Sequence, residues 1–472
     1  MKKKIAIIGS GGGGLGAAYL LGSVADVTVY EASSWLGGHA RTVDFPCADG
    51  VSRPADMGVL LTDPWTYPVL YAVLRKHNIE TRAAGWTLGA SFGKDDWWYT
   101  GGPNTDLWKR VRADASRFEL DAVRLHNAPI EDKLKPVGYW LSELGYSNEF
   151  AAKVLSPMLT LLVVTRTGLL TSPIINILGL FSDKQLSFFN GTQWRMFPGG
   201  TRQYVNAMVS ATTATFLTST PVTSVTRTEQ GAEITDGSGN TATFDHLVFA
   251  TPADITLKLL TDATPEEQGL LGAYTWQEAE LYLHSDDGVL SKHLPSGLCS
   301  QYQYTGPDPQ AELQGAFTLN VGAGLGFPKK AGPVLVTGYN VGSDAPRPKA
   351  KKVVATAKWQ HEIMTLQQMG ARQSLHGIQG LKNTWHCGTT AVWPSADAVL
   401  ASGMVLARHV EPASVFPFDD PASVADFQQI EAVMFPESAV GPGAAPSASE
   451  AAPVGAPAAR KRAVKPGFCR QT

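Results

Sequence analysis

Near the N-terminus a set of glycines and one glutamate have the types and spacing to hold a dinucleotide. Gly9-x-Gly11-x-x-Gly14, with Gly12 inside it, follows the apolar run Lys4-Ile5-Ala6-Ile7-Ile8 and opens a helical stretch, 15–21. Gly9 permits a sharp turn. Gly11 lets backbone approach a pyrophosphate whose charge suits a helix N-terminus, and Gly14 lets helix and strand pack closely. Glu31 ends a second apolar run, 26–30. A carboxylate there accepts hydrogen bonds from both hydroxyls of an unphosphorylated ribose, which favours FAD or NAD over NADP.

The rest of the chain must position that site. At 472 residues it is long enough for two packed domains. Net charge is -3 with 17% charged residues, so nucleic acid is not an expected partner. Cys47, Cys299, Cys387 and Cys469 are widely scattered, which speaks against a metal site and for a reducing, cytoplasmic setting. The N-terminus passes directly into the first strand, so no signal peptide is expected. Segment 154–181 is apolar but broken by Pro157, Arg166, Gly168 and Pro173, and reads as buried helices around an apolar pocket rather than a membrane span. Arg166 inside it is a candidate carboxylate anchor, the partner of a local acid or a surface residue, and peripheral membrane contact stays open. Segment 83–104 reads as two strands, 105–190 as helices, 268–345 as strand-rich and 351–368 as helical.

Glu31-Ala32, the doublet Gly37-Gly38 and Arg41 resemble the N-terminal fingerprint of the flavin amine oxidase and phytoene-desaturase-like superfamily. Matching elements recur in Asp56-Met57-Gly58, the turn Trp194-Arg195-Met196-Phe197-Pro198-Gly199-Gly200-Thr201, the strand around Val222, and Cys387-Gly388-Thr389 with the helix after it. The resemblance implies an α/β fold: a Rossmann-like FAD-binding domain of the GR2 type with an α+β substrate domain and a helical insertion. The expected division is FAD-binding segments at 1–82, 191–267 and 371–432, substrate-domain segments at 83–190 and 268–370, and a disordered tail at 433–472.

By the same resemblance, Gly37, Gly38 and Arg41 lie along FAD, Met57 and Gly58 approach its isoalloxazine, and Val222 holds its adenine side. Gly388, Thr389, Ala398 and Val399 complete the cofactor site. Trp194 and Arg195 are flavin-side or substrate-side candidates. His284, on a strand of the substrate sheet, is a candidate pocket residue, and His386 a support for FAD.

Departures from the family pattern shape the expected chemistry. Amine oxidases of the superfamily carry a lysine on a strand like 276–284, and none is present here. Their cage aromatic before the last helix corresponds to Ser395, after Trp393-Pro394, and their acidic residue after the C-terminal glycine to Thr390. Leu283-His284-Ser285-Asp286 and Cys387-Gly388 are similar to a subgroup of predicted NAD/FAD-binding proteins. A more distant resemblance runs to flavin-dependent polyunsaturated fatty acid isomerases, through the Gly37-Gly38 region, the helical insertion and the turn 199–201.

The expected activity is hydride transfer from a hydrophobic substrate's C–H bond to flavin N5, with oxygen or another acceptor taking the electrons. A redox-neutral double-bond isomerase, an amine oxidase and a flavin-binding protein without turnover are the alternatives.

Overall fold

The computed structural model describes residues 2–163, 170–182, 187–189, 194–228, 230–303, 315–340, 343 and 345–436. Arg166 and the tail from 437 onward, with its Arg460-Lys461-Arg462 cluster and Cys469, lie outside these.

A five-stranded sheet carries the N-terminal motif, in the order Thr384–His386, His246–Phe249, Lys4–Ile8, Asp26–Tyr30, Thr215–Leu217. All its pairings are parallel, with Ile5 opposite both Val27 and His246. Ile5, Ala6 and Ile7 are fully buried, as central strands covered on both faces must be. Helix Gly12–Leu21 packs on helix Ala396–Val410 at backbone contact: a Cβ on Gly403 would stand 1.9 Å from the Gly13 carbonyl oxygen, and one on Gly16 2.2 Å from that of Leu400. Helix Pro421–Met434 lies against this pair's C-terminal member and against helix Pro68–Lys76.

A seven-stranded mixed sheet faces this unit, in the order Val353–Glu362, Trp276–His284, Leu335–Asn340, Ala316–Asn320, Ser300–Gln303, Leu88–Ser91, Trp97–Tyr99. Its edge strand corrects the expectation of a helix at 351–368. Val353–Glu362 is extended and pairs antiparallel with Trp276–His284, Ala279 opposite Trp359, and only Leu366–Gln373 is helical. Val354, Thr356 and Lys358 are exposed while 355, 357 and 359 turn toward the second core, a period of two that pairing fixes over the helical preference of its lysines and alanines.

The second core lies between this sheet and the helices of the insertion, led by Asp106–His126. In 154–181 the expectation was a pocket lining, yet Val154, Leu155, Met158, Leu159, Ile177 and Leu178 are buried in that core. Phe118 meets Phe181 at 5.1 Å and Phe150 meets Phe188 at 5.6 Å, so the described part of the segment closes as packed interior. Among the described residues no helix is long and apolar enough to cross a membrane, and Cys47, Cys299 and Cys387 are free and buried.

Candidate functional site

The glycine turn separates into packing positions and one open position. Gly9 sits at φ +97° and donates its amide to the Tyr30 carbonyl at 2.8 Å. A Cβ on Gly14 would fall 1.9 Å from the Gly9 carbonyl oxygen, one on Gly13 2.9 Å from the Gly388 nitrogen, and one on Gly12 3.0 Å from Val399 Cγ1. Around the Cβ position of Gly11 nothing stands within 4 Å. Gly11 also caps helix Gly12–Leu21 without a side chain, and the first helical bond is Leu15 to the Gly11 carbonyl. The first amides of this helix, which have no partner within it, therefore stand beside an open space suited to an anion.

Glu31 is buried beside this turn. One carboxylate oxygen accepts the Ser10 amide at 2.9 Å and hydroxyl at 2.7 Å, and the other accepts the Ser33 amide at 2.7 Å, past the exposed Ala32. The oxygen facing Ser33 keeps a further lone pair. The Thr220 amide donates to the Glu31 carbonyl at 2.9 Å, bringing Val222 to this end of the sheet. Gly37, at φ +102°, donates to the Ser10 carbonyl at 3.1 Å, and Gly38 stands so close that its Cβ would be 3.1 Å from Gly11 Cα. Arg41 lies 4.1 Å over the Trp35 ring and donates to the Thr356 carbonyl at 2.9 Å.

The C-terminal turn joins the same place. Gly388, at φ +76°, donates its amide to Ser402 Oγ at 2.9 Å, and Arg372 donates to the Thr389 carbonyl at 3.0 Å. The Thr390 hydroxyl is spent on the Thr251 carbonyl at 3.2 Å. Ser395 caps helix Ala396–Val410 by accepting the Ala398 amide at 3.0 Å, which sets Val399 against Gly12.

Asp56 fixes the opposite wall. Buried between Thr42 and Thr201, it ends the hairpin strand Ser52–Asp56 just before Met57 and Gly58, and burial pushes its carboxyl up to about 6 against the pull of those hydrogen bonds. Met57 is fully buried, and a Cβ on Gly58 would lie 2.7 Å from the Trp359 ring.

Between the two sheets lies a cavity of about 290 Å³ lined by His39, Pro252, Ile255, Glu278, Lys358, Trp359 and Gln360. The His39 ring stacks on Trp359 at 4.6 Å and lies 5.4 Å from the His361 ring. His39 is exposed and borders this space; desolvation by the protein around it lowers its pKa to about 4, and that of His361 to about 3, with a smaller push from His39. These side chains escaped the sequence reading. His39 directly follows the glycine doublet, a signal available in the sequence, whereas Trp359, His361 and Lys358 were hidden by reading their strand as a helix.

The catalytic candidates fall elsewhere. His284 is fully buried, with Nε2 2.7 Å from Thr337 Oγ1 and Nδ1 accepting the Asp286 amide at 3.0 Å. Glu278, which lines the cavity, is six residues away on the same strand, about 20 Å along it. The expectation of a pocket role for His284 is therefore corrected: its ring is consumed in tying strands and a turn together. Arg195 donates through Nε to Thr81 Oγ1 at 2.7 Å and bridges by backbone to Thr62. Trp194 is buried in the second core, and its Nε1 has no hydrogen-bond partner among the described residues. His386, fully enclosed, stacks on Phe249 at 5.8 Å. No cluster of metal-ligating residues occurs among the described residues.

A parallel sheet with an uncapped glycine turn, an acidic residue at the tip of the second strand and a facing mixed sheet defines a two-unit dinucleotide-binding flavoenzyme of the α/β class. The profile of the family described as flavin containing amine oxidoreductase matches residues 13–280, and the chain belongs to that family. It is a flavoprotein enzyme whose cofactor is FAD. Among solved structures, a conjugated-linoleic-acid-producing fatty acid isomerase from P. acnes is similar, with a TM-score of 0.62 and 16% identity over 86% of this chain and 98% of that one. Cyclohexylamine oxidase from Brevibacterium oxydans IH-35A has a TM-score of 0.59 and 16% identity over 88% of this chain and 99% of that one. A reduced UDP-galactopyranose mutase has a TM-score of 0.62 and 13% identity over 91% and 99%. No curated protein matches the sequence significantly.

The residues present fit the cofactor. The open place at Gly11, the left-over amides at the helix start and the spare lone pair of Glu31 suit a dinucleotide.

Proposed function

We propose that this protein is an FAD-dependent oxidoreductase acting on a hydrophobic substrate, a lipid-like or small apolar metabolite. When bound, FAD supplies the acceptor, at N5, for a hydride leaving a substrate C–H bond. In this reading the Gly9–Gly11–Gly12–Gly14 turn receives the pyrophosphate, Glu31 and Ala32 the ribose, and Val222 the adenine side. Gly37, Gly38 and Arg41 follow the cofactor's length, and Met57, Gly58, Gly388, Thr389, Ala398 and Val399 surround its ring end. Trp194 and Arg195 serve as the wall that positions the Phe197–Thr201 turn. Oxygen or another acceptor then takes the electrons.

The observation that carries the choice of substrate is strand Trp276–His284, which has no lysine where the family's amine oxidases carry one. Its Ala279, Leu281 and Leu283 pack into the second core and its Glu278 borders the cavity, so the strand brings no amine-oxidase lysine to that space, and hydride transfer requires no strong base.

The test is anaerobic absorbance of the yellow protein while unsaturated fatty acids and hydrophobic amines are added in turn, followed by product mass. Persistent bleaching by a fatty acid, with a product two hydrogens lighter, supports the reading. Turnover to a product of unchanged mass replaces it with a double-bond isomerase, and bleaching by amines alone with an amine oxidase.

A further inference from the structure

Three helices of the cofactor unit meet at two aspartates. Asp397, in the first turn of helix Ala396–Val410, is buried, and its Oδ1 accepts the Leu70 amide at 2.6 Å, beside the Val69 amide, at the start of helix Pro68–Lys76. Asp426, on helix Pro421–Met434, is hydrogen-bonded to the Asp397 carboxyl, and its buried Oδ2 has no partner among the described residues. The cations of these three helices are engaged elsewhere. Arg75 pairs with Asp420 at 2.8 Å, Arg408 and His409 with Glu431, and Lys76 lies over the Tyr19 and Phe418 rings. The other titratable group facing Asp397 is Tyr67, which caps Pro68–Lys76 with Asp63 and Tyr71 beside it, and burial holds its phenol above the ordinary range, so it is neutral. Helix Gly12–Leu21 contributes only Tyr19, which bonds His77. Two ionised carboxylates in contact without a cation repel strongly, so the pair holds one proton and one negative charge, the charge facing the helix amides. Burial raises both carboxyls above the ordinary 3.8, with a further push on Asp397 from Asp426.

We propose that Asp397 and Asp426 form a proton clasp that docks helix Pro421–Met434 onto the cofactor unit and releases it when the shared proton is lost. The helix buries Phe427, Ile430 and Met434. Its ion pairs lie toward its two ends, at Asp420 and Glu431, and the clasp lies between them. Loss of the proton sets like charges against each other in the middle of that face, so this helix opens before the sheet beneath it does. The helix it uncovers, Ala396–Val410, is the one that sets Val399 against Gly12. The clasp is independent of where FAD sits.

The test is hydrogen exchange of the full-length, FAD-loaded protein between about pH 4 and 9, corrected for intrinsic rates, with urea unfolding at the same pH values. The folded pair keeps a proton that the unfolded chain has lost above about pH 4, so the clasp's contribution is full below that pH and is lost as pH rises through the folded value. Asp426→Asn keeps the hydrogen bond with an amide that needs no added proton. Relative to it, the wild-type unfolding constant should rise about tenfold per pH unit across that window. Amides of 421–434 should lose protection over the same window in wild type, ahead of strand Lys4–Ile8, and should keep it in the variant. Asp397→Asn places an amide on the other side of the same contact, should flatten the profile likewise, and serves if Asp426→Asn misfolds. Parallel pH profiles for wild type and the variants, or protection of 421–434 that falls no earlier than that of Lys4–Ile8, overturn the proposal.

Discussion

The Asp56 carboxylate accepts the Thr201 amide at 3.0 Å and the Thr201 hydroxyl at 2.8 Å. Residues far apart in sequence are thereby locked together, the end of a hairpin before Gly58 and the start of the helix after the Pro-Gly-Gly turn. Removing the carboxylate leaves the Thr201 amide and the Thr42 hydroxyl without their acceptor. Asp56→Ala should cost about 2–3 kcal/mol, read as a lowered urea midpoint.

The same carboxyl has a pH signature. Its folded pKa, about 6, lies above the ordinary 3.8, so the folded apoprotein holds a proton that the unfolded chain has lost between those values. That contribution is full below about pH 4 and is lost as pH rises to about 6, on the order of 3 kcal/mol. Denaturation of the apoprotein from pH 4 to 7 should show wild type losing that much relative to Asp56→Asn.

His361 works in the opposite sense. Its folded pKa, about 3, lies below the ordinary 6.5, so its contribution is present above pH 6.5 and declines as pH falls. His361→Gln should make the apoprotein less sensitive to acid by roughly 2 kcal/mol at pH 4.5. Comparing the denaturation midpoints of the two proteins at pH 7 and 4.5 measures this.

Gly11 and Gly14 are one helical turn apart and should behave differently. Gly11→Val meets open space and an ordinary backbone angle, φ -61°, so the apoprotein should melt within about 1 kcal/mol of wild type while FAD affinity falls at least tenfold. Gly14→Ala places a methyl against the Gly9 carbonyl and should cost about 3 kcal/mol or more. Calorimetry and cofactor titration of both variants decide it.

Arg227 and Glu267 form a paired contact of 2.5 and 2.7 Å with both side chains fully buried. Glu267→Gln leaves the buried guanidinium with Asp262, at 3.1 Å, as its remaining counter-charge, and a loss of about 2–3 kcal/mol is expected in equilibrium unfolding. Because the pair is shielded from solvent, 0.5 M salt should change the loss little.

Much of the cofactor unit was legible because its signals are local. A glycine spacing and a strand tip at Glu31 each depend on neighbours within a few residues. The cavity was not legible, because it depends on pairing. Trp359 and His361 face His39 only because Val353–Glu362 adds to the edge of a sheet; Val353, Val354, Thr356 and Trp359 favour a strand, but Lys351, Lys352, Ala355, Ala357 and Lys358 pull toward a helix, and only the pairing decides. His284 misled for a related reason: its position on the substrate strand was read correctly, but which groups would take its ring nitrogens was set by Thr337 and Asp286.

The backbone contact of Gly13 with Gly403 bears on how the protein is made. Helix Gly12–Leu21 leaves the ribosome long before the surface it needs, which belongs to Ala396–Val410. Strand Lys4–Ile8 likewise waits for His246–Phe249, and that strand for Thr384–His386. Contacts so distant in sequence form slowly, and the waiting elements are apolar. The glycine turn is thus synthesised well before the elements it packs on, so a chain truncated before residue 396 would lose the cofactor groove while still carrying every residue of its N-terminal motif.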